Sequence, residues 1–211
     1  MTVYQNSSFG LKNIKEDYSS STQTLQRQLD NENKPKYIDF IEANDGKIRS
    51  LNVLGCGIDT DILERYNAKK WFSPKYRYKM ATIEKALNFS IHDVSYKKYD
   101  NKICLDRQVL VFEVCNGKYI GGSICASNRA LIDDGYLTVS YVRKFNRINT
   151  LAYMQQMLKQ GIDKLRSSNW FNCKEVILRM KRPVYQVDGQ LKTDTNELRI
   201  KCISNKLKFV A

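Results

Sequence analysis

The feature that most constrains this chain is a succession of short β-rich segments separated by turn residues, without a regular strand–helix–strand alternation. Such an order is typical of antiparallel sheets and argues against a doubly wound parallel sheet. The predicted fold class is therefore mainly β (α+β), an antiparallel β-sandwich or β-roll with two inserted helices. The predicted strands cover residues 36–43, 47–58, 92–100, 103–115, 117–127, 136–145, 173–181, 184–188, 196–203 and 207–211.

Two helices are predicted between these strands. Ser73-Pro74 is a typical helix start, with serine before the helix and proline at its first position. An apolar stripe at helical spacing follows, formed by Tyr76, Met80, Ile83 and Leu87. The second helix is predicted from about Asn149. Its apolar positions are Leu151, Met154, Leu158, Ile162 and Leu165.

Four stretches carry the residues that tight turns require. Asn44-Asp45-Gly46 separates two β-rich segments and predicts a hairpin. Asn116-Gly117 predicts a two-residue type I′ turn, since both central residues of that turn need positive φ. Asp133-Asp134-Gly135 and Asp188-Gly189, taken by themselves, are also turn sequences.

The chain divides by composition into two parts. Residues 1–36 are polar and rich in Ser, Asn, Gln and Lys, which predicts a tail, an arm or the remnant of another domain. Residues 37–211 contain the predicted strands and helices, and they are expected to form a single β-sandwich domain.

Charge and cysteine usage limit the partners and the compartment. A net charge of +13 attracts phosphate-rich ligands, anionic lipid surfaces and nucleic acid alike. No signature of a known nucleic-acid-binding fold occurs, which disfavours nucleic acid. The six cysteines are widely spaced and lack a C-x-x-C pair, as in reduced cytosolic proteins. Without a signal-peptide pattern or an apolar run of about 20 residues, we expect a cytoplasmic protein whose membrane contact is peripheral.

The sequence lacks the residues that several common binding and catalytic sites require. Neither a P-loop nor a G-x-G-x-x-G motif occurs. His92 is the single histidine of the chain, which disfavours Ser-His-Asp catalysis and multi-histidine metal sites. We therefore expect His92 to be a structural or surface residue.

Four motifs in order resemble a known family. They are LNVLGCGIDTDI (51–62), NGKYIGGS (116–123), ALIDDGYLTV (130–139) and VDGQ (187–190). Their order and spacing resemble the C-terminal, substrate-side domain of the diacylglycerol kinase and sphingosine kinase superfamily, over roughly residues 37–211. The resemblance implies transfer of the γ-phosphoryl group of ATP to a lipid hydroxyl. In that family the reaction takes place in a cleft between an α/β nucleotide domain and a β-sandwich domain. The resemblance implies that residues 1–36 are a polar arm or the remnant of the nucleotide-binding domain, and that residues 37–211 are the lipid-kinase-like β-sandwich domain.

The resemblance also implies particular site residues. Asp134 would bind a structural magnesium ion together with the main-chain carbonyls of Leu131 and Tyr136, a plausible set of hard oxygen ligands. The family's D-G-E turn offers a glutamate as the base for the lipid hydroxyl, and Gln190 stands at that position. Because an amide cannot accept the hydroxyl proton, an acid such as Asp188 would have to replace it. The family's G-G-D-G-T nucleotide loop does not occur in these 211 residues, so ATP is implied by resemblance only.

Three interpretations follow. The first is a diacylglycerol-kinase-like protein in truncated form, a pseudokinase or a subunit that is not catalytically competent alone. The second is a subunit that completes a lipid kinase with a separate nucleotide-binding chain, in which Asp188 or Glu197 takes the role of the base. The third is a basic binding module for anionic lipid or nucleic acid. A sandwich domain without its usual partner domain would also expose apolar surface, which predicts a homo-oligomer.

Overall fold

A computed structural model describes residues 36–68, 73–98, 104–120, 124–143, 156, 161–165 and 167–209. These residues form thirteen strands and two α-helices. The strands are β1 Lys36–Ala43, β2 Ile48–Ser50, β3 Val53–Gly57, β4 His92–Lys98, β5 Cys104–Cys115, β6 Tyr119–Ile120, β7 Ile124–Cys125, β8 Leu137–Arg143, β9 Ser168–Cys173, β10 Glu175–Met180, β11 Tyr185–Val187, β12 Gln190–Lys192 and β13 Glu197–Phe209. The helices are α1 Ile58–Ala68 and α2 Pro74–Leu87.

Eleven of the described strands form one curled antiparallel sheet. Its main path runs β12-β11-β3-β5-β4-β10-β13-β1-β2, while β8 pairs with β5 and with β9 beside that path. Strand β5 is central because it pairs with β3, β4 and β8. Strands β6 and β7 pair only with each other. The predicted antiparallel, sandwich-like fold is confirmed, and α2 is one of the two predicted helices.

The curled sheet carries a hydrophobic core on each face. The first core contains four packed aromatic rings whose neighbouring centroids lie 5.4 to 5.7 Å apart, those of Tyr96, Phe112, Tyr141 and Phe171. The second core packs helix side chains against β3 and β5, among them Ile58, Ile62, Ala81, Ala86 and Val111. Because β5 is covered on both faces, its sequence from Val109 to Cys115 is nearly continuously apolar.

Helix α1 was not predicted, since its first residue was assigned to a strand. Gly57 ends β3 with φ +132°, a backbone conformation that favours glycine and turns the chain towards the helix. The Thr60 hydroxyl then donates to the Gly57 carbonyl at 2.6 Å. Asp59 and Asp61 in the first turn, and Arg65 in the last, complement the helix dipole. This distribution of charges was the signal in the sequence that could have indicated α1.

Helix α2 begins where the sequence predicts, with Pro74 in its first turn and extended Ser73 before it. Ser73 makes no side-chain capping hydrogen bond. The start of the helix is therefore set by the proline and not by a serine cap. Most of the second predicted helix lies outside the described residues. Its described end is not α-helical, because Ile162–Lys164 forms a 3-10 turn after Gly161, whose φ is +92°.

The turn predictions have mixed outcomes. Asn44-Asp45-Gly46 connects β1 to β2 as an antiparallel hairpin, as predicted. The type I′ hairpin at Asn116-Gly117 is wrong, since neither residue has positive φ and β5 does not pair with β6. Instead, the Asn116 and Gly117 amides both donate to the Asn52 carbonyl, at 2.7 and 2.9 Å. The two predicted C-terminal strands form one strand, β13, with a bulge opposite Asp39.

Cys56, Cys115 and Cys125 are free and buried thiols, and Cys173 is also buried. Burial raises the pKa of the Cys56 and Cys115 thiols well above the usual range. Within the described ranges, no helix combines the length and the apolar character that crossing a bilayer requires.

Candidate functional site

The Asp188-Gly189 turn joins β11 to β12, with Val187 paired to Gln190. Asp188 has φ +47° and Gly189 has φ +83°, as the two central residues of a type I′ turn must. The turn chemistry expected of this stretch is therefore present. Gln190 is exposed at the start of β12.

The carboxylate of Asp188 organises the chain that leads into β3. Its Oδ1 accepts from the Ser50 hydroxyl at 2.8 Å and from the amides of Asn52 and Val53, both at 3.0 Å. Its Oδ2 accepts from the Leu51 amide at 2.8 Å. Both oxygens are thus engaged, and the carboxylate fixes four consecutive residues against the β11–β12 turn.

Gln186 connects this turn to the interior of the sheet. Its Oε1 accepts from the Gly189 amide at 2.8 Å, and its Nε2 donates to Glu113 Oε2 at 3.1 Å. Between Gln186 and Glu113 lies Gly55, which pairs with both across the sheet. A Cβ at Gly55 would stand 2.1 Å from Glu113 Oε2 and 2.3 Å from the Phe112 carbonyl oxygen. The missing side chain at Gly55 therefore leaves the space that Glu113 occupies.

Glu113 forms a buried acidic pair with Asp59, at the start of α1. Both Asp59 oxygens and Glu113 Oε1 are buried without a hydrogen-bond partner in the part of the chain that is described. Burial raises the pKa of Asp59. Burial, and next the charge of Asp59, raise the pKa of Glu113 well above its usual range. The pair therefore retains a proton to higher pH than exposed carboxyls do.

The neighbouring Asp61 is by contrast compensated by cations. It lies 3.2 Å from His92 Nε2 and 2.9 Å from Arg182 Nη1, and Arg182 also binds Glu64. Although burial acts in the opposite direction, the hydrogen bond from His92 and the nearby positive charges lower the pKa of Asp61. His92 thus belongs to a cluster of polar and charged side chains, in keeping with the structural role expected for it.

The loop containing Asp133-Asp134-Gly135 holds the predicted magnesium residues. Leu131 and Tyr136 flank Asp134 with exposed side chains. Asp134 Oδ1 accepts from the Tyr136 amide at 3.0 Å, and Gly135 has φ +75°. Burial raises the pKa of Asp134, and the negative charge of Asp39 adds to the effect.

Asp39 was missing from the sequence prediction. Its buried carboxylate accepts from the Gly135 amide at 2.7 Å and from the Asn205 amide, in the β13 bulge, at 2.8 Å. Carboxylate and main-chain carbonyl oxygens are the hard ligands that suit a divalent cation keeping most of its water ligands. The described residues contain no cluster of three or more His, Cys, Asp or Glu side chains that could hold a metal. A divalent cation at this loop would therefore have to be bound largely through water and main-chain oxygens, and magnesium here stays a prediction.

Asn116 links the two Asp-Gly regions. Its buried Nδ2 donates to the carbonyls of Leu51, in the segment fixed by Asp188, and Asp39, both at 2.9 Å. The sequence predicted Asn116 in a two-residue hairpin turn, and no local signal indicated this long-range role.

The chain resembles known proteins in both sequence and structure. Residues 52–211 match the family model described as the YegS C-terminal NAD kinase beta sandwich-like domain. The probable lipid kinase YegS-like of Shewanella frigidimarina (strain NCIMB 400) is 26% identical over 139 residues, which make up 64% of this chain and 42% of that protein.

Solved structures share the fold. A putative diacylglycerol kinase from Bacillus anthracis str. Sterne superposes with a TM-score of 0.61 at 18% identity, over 83% of this chain and 57% of that one. A second structure of a putative diacylglycerol kinase from this organism gives 0.58 at 16% identity, with the same coverage. At such identities the likeness establishes the fold alone.

Fold and sequence together define a β-sandwich-like domain that is similar to part of a probable YegS-like lipid kinase. The chain belongs to the family of the YegS C-terminal NAD kinase beta sandwich-like domain. It spans less than half the length of the curated relative and somewhat over half of the solved structures.

Proposed function

We propose that this chain is the lipid-side domain of a diacylglycerol-kinase-like phosphotransferase, and that it requires a separate nucleotide-binding unit for phosphoryl transfer. Membership of the family supports the lipid-kinase class. The absence of a G-G-D-G-T loop from these 211 residues supports the need for a nucleotide-binding unit. Transfer depends on positioning and neutralising the phosphates, so a chain without that loop lacks most of the machinery.

The geometry of the Asp188 turn carries the proposal that the chain is not competent alone. Gln190 presents an amide where the family offers a glutamate, and an amide does not accept a proton from a hydroxyl. Asp188 is the adjacent acid, but both of its oxygens already accept hydrogen bonds. Glu197, the other candidate, is bound by Arg179 at 2.6 Å and also by Arg199. None of these groups is poised as a general base.

A transfer assay with a total lipid extract tests this function without assuming a substrate. The chain is incubated with γ-labelled ATP and magnesium, either alone or with the nucleotide-binding part of the Shewanella relative, and lipids are separated by chromatography. We expect no labelled lipid from the chain alone, and label from the mixture when it contains Gln190→Glu. Label produced by the unmodified chain alone would refute the need for a partner. No label from the mixture with Gln190→Glu would refute the lipid-kinase function.

Magnesium enters this proposal through the Asp134 loop. Asp134 and the main-chain carbonyls of Leu131 and Tyr136 would hold the ion, whose charge would offset the repulsion between Asp134 and Asp39. We expect magnesium to raise the melting temperature relative to chelator in the unmodified chain but not in Asp134→Asn. Asp133→Asn, at the exposed neighbouring acid, is the control and should keep the shift. An unmodified chain with the same melting temperature in both buffers would rule out the ion site.

A binding module without catalysis is the second candidate, and the net charge of +13 favours it. Such a module would bind any polyanion, with an affinity that falls steeply as salt rises. Titration with anionic vesicles and with a DNA duplex of matched charge separates the candidates. Equal affinity for both polyanions, lost at high salt, would favour the binding module.

A further inference from the structure

A row of polar side chains crosses the centre of the curled sheet on the face covered by α1. Gly55 of β3 pairs with Gln186 of β11 on one side and with Glu113 of β5 on the other. Ser140 of β8 lies opposite Glu113. Directly opposite residues of an antiparallel pair point to the same face, so the side chains of Gln186, Glu113 and Ser140 line up. Val111, two residues before Glu113 on β5, belongs to the second core, which places the row beneath the helix.

Four buried oxygens around this row have no hydrogen-bond partner within the described ranges. Two belong to Asp59 at the start of α1, and the others are Glu113 Oε1 and Ser140 Oγ. Glu113 and Ser140 are fully buried. Their Cβ atoms, on directly opposite residues, are about 4.5–5.5 Å apart, so one ligand can reach both side chains. Native proteins pair nearly all buried polar atoms, and a set of unpaired oxygens of this kind indicates a bound ion or water.

Cationic side chains neutralise the neighbouring acid but not this pair. Asp61, two residues after Asp59 on α1, is bound by Arg182 and lies beside His92. Among the described residues, no lysine or arginine pairs with Asp59 or Glu113. A buried acidic pair without such a partner attracts a positive charge from solution.

We propose that Asp59, Glu113 and Ser140 bind a divalent cation of the calcium kind between α1 and the sheet. Carboxylate and hydroxyl oxygens are hard ligands, and two carboxylates balance the charge of one divalent ion. Gln186 occupies Oε2 of Glu113 and so leaves Oε1 for the ion. Since no third acid, cysteine or histidine of the described residues completes a metal cluster, Ser140 has to supply the next ligand.

The burial of the row selects calcium over magnesium. Magnesium loses its water ligands reluctantly and usually keeps several of them, whereas calcium accepts protein oxygens in flexible geometry. An ion at this position would join α1 to β5 and β8 at the centre of the sheet. Its binding would therefore stabilise the folded domain.

Binding has to displace a proton. Burial raises the pKa of both Asp59 and Glu113, so the pair retains a proton to higher pH than exposed carboxyls do. An ion that binds both carboxylates takes the place of this proton, which passes to the buffer. The affinity for calcium should therefore rise with pH.

Other titratable groups also lie around the pair. Burial raises the pKa of the Cys56 and Cys115 thiols well above the usual range, and it raises the pKa of Tyr78 of α2 to about 12. These three groups therefore stay protonated between pH 6 and 8. His92 of β4 interacts with Asp61, and it is unchanged in the variants compared below.

Calorimetric titration of the full chain with calcium chloride tests the site. The titration is carried out at pH 6 and at pH 8, in two buffers of different ionisation enthalpy so that proton release is measured directly. We expect about tenfold tighter binding at pH 8, with release of a proton at the lower pH. Glu113→Gln should weaken binding at least about tenfold, because it removes one of the two charges that hold the ion.

Ser140→Ala and Thr138→Ala form a matched pair of variants. Thr138 lies two residues before Ser140 on the same face of β8, but its hydroxyl donates to Asn172 Oδ1 at 3.1 Å. Ser140→Ala should weaken calcium binding about threefold or more, because it removes a ligand. Thr138→Ala should keep the affinity. Circular dichroism checks that each variant is folded, and Ser140→Ala remains the test if Glu113→Gln does not fold.

The outcomes separate this site from the Asp134 loop. Loss of the calcium signal in Asp134→Asn, with full binding in Glu113→Gln and Ser140→Ala, would place the ion at the loop and overturn the proposal. No binding by the unmodified chain at about 1 mM calcium would also overturn it, as would equal affinity for magnesium. The titration contains neither ATP nor lipid. Calcium binding without lipid phosphorylation would therefore refute the proposed function and leave this inference standing.

Discussion

Replacing Asp188 should destabilise the whole domain, because its carboxylate organises four residues far away in sequence. Ser50 Oγ and the amides of Leu51, Asn52 and Val53 all donate to it over 2.8 to 3.0 Å. Asp188→Ala removes all four interactions at once. Asp188→Asn keeps one carbonyl oxygen, which can still accept the three bonds now made to Oδ1. It loses the bond from the Leu51 amide.

The magnitude follows from these contacts. An intramolecular hydrogen bond contributes about 1 kcal/mol net, and bonds to charged groups contribute more. Water can replace part of the loss at exposed Leu51, so we expect Asp188→Ala to lower the free energy of unfolding by about 3–5 kcal/mol. Asp188→Asn should cost about 1–2 kcal/mol. At about 2–4 °C per kcal/mol for a domain of this size, the alanine variant should melt at least about 6 °C lower.

Denaturant unfolding followed by circular dichroism measures the effect, with Asp45→Asn as a matched control. Asp45 precedes a glycine in the other Asp-Gly hairpin turn and has a similar φ of +55°, but its side chain is 84% exposed. The control should change stability by no more than about 0.5 kcal/mol. An Asp188→Ala variant as stable as the control would refute the anchoring role and reopen the possibility that Asp188 acts as a base.

Three further predictions concern the interior. Glu113→Gln should gain stability relative to the unmodified chain as pH rises from about 5 to 8, measured by melting at each pH. The raised pKa values of Glu113 and Asp59 make the folded state bind more protons than the unfolded state, so they destabilise the native chain as pH increases. Gly55→Ala should fail to fold or lose native melting cooperativity, since its Cβ would lie 2.3 Å from a carbonyl oxygen. Asp39→Ala should lose about 2–3 kcal/mol in denaturant titration, through two unpaired amides; no loss would contradict its role in closing the β13 bulge.

The sequence predicts the positions of the strands and of α2 better than it predicts the contacts that these elements make. Alternating and apolar runs locate most of the strands, and Pro74 locates the start of α2, because local preferences decide both. Periodicity identifies the apolar stripe on α2 but not whether the stripe faces the core or the solvent. The orientation of the helix depends on the contacts that its charged residues make with α1, and these contacts cannot be read from the sequence of α2. Helix α1 was missed because its first apolar residues continue the pattern of β3 without a break.

The site shows the same division between local and long-range effects. Positive φ at Asp188 and Gly189 is a local requirement, and the Asp-Gly pair predicts it. Pairing of Asp59 with Glu113 requires register across the sheet, which brings Gly55 between Glu113 and Gln186. A single acid inside the apolar sequence of β5 was the available signal. An acid at such a position needs a partner when it is buried, but the sequence does not identify which residue that partner is.

In the β11–β12 turn, the residues that the fold requires differ from the residue that catalysis would require. Asp188 holds the segment that leads into β3, and Gly189 supplies a backbone conformation that other residues rarely adopt. Both residues are therefore required by the fold, whatever chemistry takes place nearby. Gln190 is exposed, and the turn does not depend on its side chain. Its identity can therefore change without loss of the turn. An Asp-Gly turn in this setting is evidence for the domain, whereas evidence for catalysis has to come from the residue that follows it.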